Sequence, residues 1–352
     1  MIGPAIIERI ARVLPYEKFD QLYNWRLEHY RNRAGIAEQT AQAMVEGLAD
    51  IELLNRELTL IERHAIRWVS IDSPAYPITL KNTHLPPSVL YWQGADLAVL
   101  DNALAMVGSR KVNLYGQRVI DMLVPDLVAA GWALVSGGAI GADTLVHQVT
   151  VRSGGITAAV IGSGLLKPYP SSNRRLFATL VEKGGIVMSP FPLTMEAMPG
   201  NFPARNRIIA GLSQATVVVQ AAEKSGALIT AMYALEQGRE VCAVPGALDD
   251  PLSAGCHALL REGGLLIRSA QDILMALGDQ GIAAQPVVEH EQQELPEEPK
   301  DPVITACVQP QLFDDLCRIL QYDEMRLQDR LMALQLEGVL EQDIMGRWYS
   351  II

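Results

Sequence analysis

The stretch "ALVSGGAIGADTLVH", residues 133–147, decides the fold. A short apolar run ends in a glycine pair, turns through Gly141 and opens a helical pattern at Ala142. It is a strand, a glycine turn and a helix. The same texture recurs on both sides of it. "LAMVGS", "TAAVIGSG", "GIVMSP", "ATVVVQ", "EVCAVPG" and "GLLIRS" read as further strands. "YGQRVIDMLVPDLVAAG", "SSNRRLFATLVEKG", "GALITAMYALEQG" and "GCHALLREG" read as helices between them. Near-continuous apolar strands alternating with helices predict an α/β domain with a mostly parallel sheet and helices on both faces. Twenty of the 28 glycines fall between residues 105 and 270. They cluster where strands end, the edge at which open α/β sheets bind ligands. Pro125 is expected to kink its helix or to begin its second half.

Outward from this centre the texture changes. Residues 1–67 show apolar spacings of three and four and read as a helical domain. A proline-bearing connector with Pro74, Pro77, Pro86 and Pro87 follows and ends in a short strand, "VLYWQG". It opens a central domain that runs to residue 278. Residues 279–302 are acidic, proline-bearing and poor in apolar side chains, the composition of a linker. In residues 303–352, "LFDDLCRIL" and "DEMRLQDRLMALQLEG" read as amphipathic helices and "GVLEQDIMGRWYSII" as a hairpin. Helix, helix, hairpin is the outline of a winged-helix-like domain, although no first helix is evident.

Composition narrows the function. Nearly half of the 352 residues are apolar and a fifth are charged, as in a globular protein. The longest uncharged run, between Asp126 and Asp143, is shorter than the ~18 residues of a membrane span. Glu8, Arg9 and Arg12 interrupt the N-terminal apolar stretch, unlike a secretory signal. Cys242, Cys256, Cys307 and Cys317 form no C-x-x-C pair, so neither a zinc site nor a disulfide framework is indicated and a cytoplasmic location is expected. The net charge of -11 is unevenly spread. Residues 105–270 hold 14 Lys/Arg against 11 Asp/Glu, while residues 271–352 hold 5 against 16. A mildly basic middle suits an anionic partner in spite of the overall charge.

Five stretches of that middle carry the candidate chemistry. In "MVGSRKVNLYG", Ser109, Arg110 and Lys111 stand at a strand's C-terminal edge and suit a phosphate. In "SGGAIGADTLVH", Gly137 and Gly138 precede a helix start, with Asp143 as a first-turn carboxylate. His147 reads as a packed or capping histidine. "GSGLLKPYPSSNRRL" brings Gly164, Lys167 and Tyr169, with Ser172 or Asn173 placed to cap the next helix. "GNFPARNRIIAGLS", residues 200–213, reads as a stiff loop running into an apolar segment. Its Asn201, Phe202, Arg205, Asn206 and Arg207 allow two readings. Phe202 is a base-stacking platform flanked by phosphate-binding arginines, or it caps the core while the arginines form internal ion pairs. "EKSGALIT" adds Lys224 and Ser225 at a further helix start. There is no G-x-G-x-x-G, P-loop or G-x-S-x-G, and no paired loop carboxylates, so binding is favoured over catalysis and no cofactor is expected.

Taken in order, "MVGSRKVNLYG", "SGGAIGADTLVH", "IGSGLLKPYPSSNRRL", "GNFPARNRIIAGLS", "SGALITAMYALEQGREVCAVPG" and "GCHALLREGG" resemble the DprA (Smf) family of bacterial DNA-processing proteins over about residues 70–275. The resemblance implies an extended Rossmann-like sheet, a sterile-alpha-motif-like front and a winged-helix tail. It also implies a homodimer that binds single-stranded DNA and loads the recombinase RecA in natural transformation and recombination, without catalysis. By position it carries DNA contact onto Arg110, Phe202, Arg205, Arg207 and Lys224. The chain departs from the family pattern at "GAD", residues 141–143, and at "SP", residues 189–190. The competing reading is a phosphoribohydrolase-like nucleotide enzyme on a related scaffold. It is disfavoured by the lack of that family's P-G-G-x-G-T loop.

Overall fold

The computed structural model describes residues 4–278, 301–307, 309–336, 340–342 and 346–350. By contacts the chain divides into two units, residues 1–283 and 284–352. Most of the expected linker, residues 279–300, lies outside the described residues.

The first unit begins with helices α1 (Pro4–Ala11), α2 (Leu27–Ala34), α3 (Glu38–Ala49) and α4 (Ile51–Arg63). The first three close over a core of their own, formed by Ile10, Leu14, Leu22, Tyr30, Ile36 and Met44. The Tyr30 hydroxyl donates to Leu22 O (3.0 Å), so this buried phenol is satisfied. Helix α4 ties the front to the sheet. Its Glu57 carboxylate accepts from Leu193 N (2.7 Å), and Leu60 and Ile61 pack on the sheet's core.

Nine strands form one sheet: β1 (Arg67–Ser70), β2 (Val89–Gly94), β3 (Ala103–Val107), β4 (Ala133–Ser136), β5 (Thr157–Val160), β6 (Ile186–Ser189), β7 (Ala215–Val218), β8 (Glu240–Ala243) and β9 (Leu265–Leu266). Their order is β1-β2-β6-β5-β4-β3-β7-β8-β9. From β6 to β9 every pairing is parallel, whereas β1–β2 and β2–β6 are antiparallel. The helices that cover it are α5 (Ile78–Lys81), α6 (Leu114–Ala129), α7 (Ala142–Arg152), α8 (Arg174–Glu182), α9 (Asn201–Leu212), α10 (Gly226–Glu236), α11 (Ala254–Arg261) and α12 (Ala270–Ala276). Two large apolar clusters form the core. One holds Leu80, Leu90, Val107, Val135 and Ile209. The other holds Leu104, Met106, Ile120, Leu123 and Leu134. Strands β3 to β7 are buried along their whole length, which is why they read as unbroken apolar runs.

The structure corrects three readings and fixes the bounds of one helix. Strand β1 occupies residues taken for the end of a helix, because Ala65 at φ +48° breaks α4 and Val69 turns into the core. Helix α6 continues through Pro125. Asn173 makes no cap bond to α8. Its amide donates instead to Gly138 O (3.0 Å) and Thr144 Oγ1 (2.8 Å), joining the β4–α7 turn to the β5–α8 loop. The stretch from Asn201 is the first turn of α9, with Pro203 early enough that its missing N–H costs no helical bond.

The second unit contains α13 (Pro302–Ala306), α14 (Phe313–Leu320), α15 (Glu324–Leu336) and the hairpin β10 (Leu340–Gln342) with β11 (Trp348–Ser350). A bridge, Gln311↔Trp348, joins the segment before α14 to the hairpin. The first helix that sequence reading lacked is α13, five residues capped by the Asp301 carboxylate, which accepts from Val303 N (2.8 Å).

Candidate nucleic-acid interface

The chain runs from β3 to β4, β5 and β6 on one side, then returns to lay β7 against the other side of β3. The β3–β7 boundary is therefore the switch point of the sheet, where following segments part and leave a crevice. A cavity of about 500 Å³ lies there, with Gly108, Ser109, Arg110, Phe202, Arg205, Asn206, Lys224 and Ser225 in its wall. Val107, Ile209, Ala227 and Ile229 supply an apolar portion. A smaller cavity between Arg110, Ile140, Tyr169, Phe202 and Arg205 adjoins it.

Phe202 stands half-buried between these two cavities. The Arg110 guanidinium lies 5.7 Å from its ring centroid. The Tyr169 ring is 5.8 Å away and tilted by 55°. Gly162 lies beneath, where a Cβ would come 2.9 Å from the Phe202 ring. The ring is thus held from three sides at the sheet's C-terminal edge. Beside it the Asn201 amide donates to Gly162 O (3.1 Å), pinning the start of α9 to the end of β5.

Below the surface the polar groups are ordered by Asp143. Its carboxylate accepts from Gly137 N (3.1 Å) and Ala139 N (3.2 Å), closing the glycine turn. Arg205 is buried against the same turn. A Cβ at Gly137 would collide with the Arg205 guanidinium and come within 2.7 Å of Asp143 Oδ2. Arg205 Nη1 donates to Val160 O (2.8 Å), while its buried Nε has no partner among the described residues. Burial pulls the Arg205 pKa down to about 10, with Asp143 resisting, so the group stays charged at neutral pH. Burial raises the Asp143 pKa, opposed first by Arg205 and then by the turn's amides and Ser136. One turn along α7, burial and the Arg205 charge push His147 down to about 3. The Thr157 hydroxyl donates to Leu134 O (2.7 Å), so His147 Nδ1–H donates to Thr157 Oγ1 (2.7 Å). His147 is a packed, neutral histidine, as its sequence context suggested.

The profile of the family described as DNA recombination-mediator protein A matches residues 67–278. The chain belongs to this family. It is 40% identical over 231 residues to the DNA processing protein DprA of Bacillus subtilis, covering 65% of this chain and 77% of that one. It is 39% identical over 221 residues to the protein Smf of Escherichia coli, covering 63% and 59%. Among solved structures it is similar to DprA of Streptococcus pneumoniae, with a TM-score of 0.66, 32% identity and coverage of 76% of this chain and 92% of that one. It is also similar to DprA of Helicobacter pylori, whose structure describes a single-stranded-DNA binding mode, with a TM-score of 0.54, 25% identity and coverage of 61% and 97%.

Within this family fold the residues named from sequence part into groups. Ser109, Arg110, Phe202, Arg205, Asn206, Lys224 and Ser225 meet at the switch-point cavity. Lys111 is exposed beside it, and its amide donates to Ser109 Oγ (3.0 Å). Ser225 also caps α10, accepting from Ala227 N (3.3 Å). Gly137 and Asn201 support the cavity from behind. Gly138 and Gly164 serve packing. A Cβ at Gly138 would strike the Phe177 ring, and one at Gly164 the carbonyls of Pro192 and Leu193. Lys167 is exposed and pairs with Glu196 (2.9 Å). Arg207 diverges from Arg205, since α9 turns it onto the Tyr233 ring (4.9 Å) and into a separate apolar groove with Leu80, Tyr91 and Phe191. The sequence reading placed Tyr169 in a loop without assigning it a contact. Its pairing with Phe202 crosses 33 positions, and no local pattern announces it.

Proposed function

We propose that this chain binds single-stranded DNA along the C-terminal edge of its sheet and acts as a recombination mediator that loads RecA. The observation that carries the proposal is the seating of Phe202. It is a half-buried ring held by Arg110, Tyr169 and Gly162, with cations at its rim. Such a ring offers a π-face to any base, while the arginine and lysine neutralise the backbone. The single-stranded-DNA binding described for the H. pylori relative supports the same reading. Hydrolysis fits less well. Asp143 is the one carboxylate among the described residues lining the cavity, and it is held by backbone amides and faces Arg205. A homodimer fits the open edge of β9, where Leu265 and Leu266 are exposed. No helix of the described residues is long and apolar enough to cross a membrane.

The test is anisotropy of labelled single-stranded and duplex DNA at low and high salt. The single strand should bind more tightly, with little sequence preference, and lose affinity as salt rises. Equal affinity for both forms would overturn the binding mode. RecA loading is checked separately, by whether substoichiometric protein speeds RecA assembly on the same strand.

A further inference from the structure

We infer that the switch-point cavity is built for a terminal nucleotide bearing a phosphomonoester. This rests on the single-strand reading above and specifies which part of a strand the cavity takes. The first observation is charge. Arg110, Arg205 and Lys224 face the cavity with Asp143 as the opposing carboxylate, a formal excess of two positive charges. A phosphodiester inside a strand carries one negative charge. A monoester carries about 1.5 to 2 at neutral pH, which matches the excess.

The second observation is Arg205 itself. It is 5% exposed, lines the cavity, and keeps one hydrogen bond among the described residues, from Nη1 to Val160 O. Its Nε is without a partner there. Asp143 faces this buried charge from one side, and an anion in the cavity would add charge-assisted hydrogen bonds to the guanidinium that lines it. The third observation is α10, whose first turn holds no acidic residue and opens on the cavity through Ser225 and Gly226. A Cβ at Gly226 would meet nothing within 4 Å, so the helix start is open to a ligand oxygen. The apolar wall of Val107, Ile209 and Ile229 suits a sugar or base edge behind the phosphate. The volume of about 500 Å³ is also that of a small-molecule site, in the usual range of ~300–1,000 Å³.

The experiment compares short oligothymidylates ending in phosphate or hydroxyl, at either the 5′ or the 3′ end, with thymidine monophosphate and thymidine as competitors. Phosphate at one end should tighten binding on the order of tenfold. The gain should shrink from about pH 7.5 to about pH 5.5, across the monoester's second ionisation near ~6. The hydroxyl-ended strand corrects for the protein's own titration. Lys224→Ala, which alters an exposed side chain, should abolish the preference without unfolding the chain. Displacement by thymidine monophosphate but not by thymidine, without a preference among strands, would support the same chemistry with a free nucleotide as its source. Equal binding of all strands without displacement by the monophosphate would overturn the inference and leave single-strand binding intact. If no strand bound at all, the reading it rests on would fall, and titration with thymidine monophosphate alone would then decide the cavity's ligand.

Discussion

At the residue scale the two arginines of "RNR" show how far a linear motif reaches. Arg205 and Arg207 read as a pair, but a helix turns them about 200° apart, and one is buried while the other lies on Tyr233. The structure thus separates residues that the stretch presents together. Arg205 is an internal charge facing Asp143, and Phe202 is a partly exposed ring at the edge. Phe202→Ala should cost the stacking contribution, ~1–3 kcal/mol of binding, nearly independent of salt because no charge is lost. Its melting temperature should stay close to that of the parent. A large fall in melting temperature with normal binding by the folded fraction would return Phe202 to the core. Arg205→Ala should behave in the opposite way. It strands the Asp143 carboxylate in the interior and should lower unfolding stability by ~3–5 kcal/mol in urea melts. Unchanged stability would mean that the charge is dispensable to the fold. Sequence showed these residue types but not their burial, which is set by Gly137 and Val160 from strands far along the chain.

At the element scale, legibility followed burial. Strands β3 to β7, packed on both faces, were plain as apolar runs, and β3, β4 and β5 run into glycine. Strand β1 was hidden because it is four residues long, follows a helix directly and exposes Trp68 on one side. The start of α9 was hidden because Pro203 reads as a loop residue, yet the first turn of a helix tolerates it. Helix α7 offers a test through His147. Its folded pKa of about 3 lies below the usual value of 6.5. Between these values the unfolded chain takes up a proton that the folded chain refuses. The stability from this group is thus complete above about pH 6.5 and is lost as pH falls toward 3, at ~1.4 kcal/mol per pH unit. His147→Asn keeps a donor toward Thr157 and removes the titration. The variant's stability, followed between about pH 7 and pH 4, should fall less steeply than the parent's by roughly that slope. Parallel curves would show that His147 is solvated or charged in the folded protein.

At the scale of the whole molecule, charge is divided by domain. Residues 279–352 hold 5 Lys/Arg against 15 Asp/Glu, so the chain without them carries a net charge of -1 in place of -11. If the sheet edge alone holds DNA, the tail acts only through its field, and that field is screened beyond ~10 Å at 0.1 M salt. A chain ending at residue 278 should therefore keep the affinity of the full chain at high salt and bind somewhat more tightly at low salt, where the tail's negative charge is less screened and repels the strand. Arg110→Ala is the local counterpart. It removes a cation placed both on the cavity wall and over Phe202, so it should weaken binding at every salt concentration. If Arg110 contacts one phosphate, the slope of log affinity against log salt should also fall by ~0.7. Measured together, truncation and point variant separate the two sources. An affinity loss on truncation at high salt, with Arg110→Ala unchanged, would move the DNA site out of the sheet domain and into the tail.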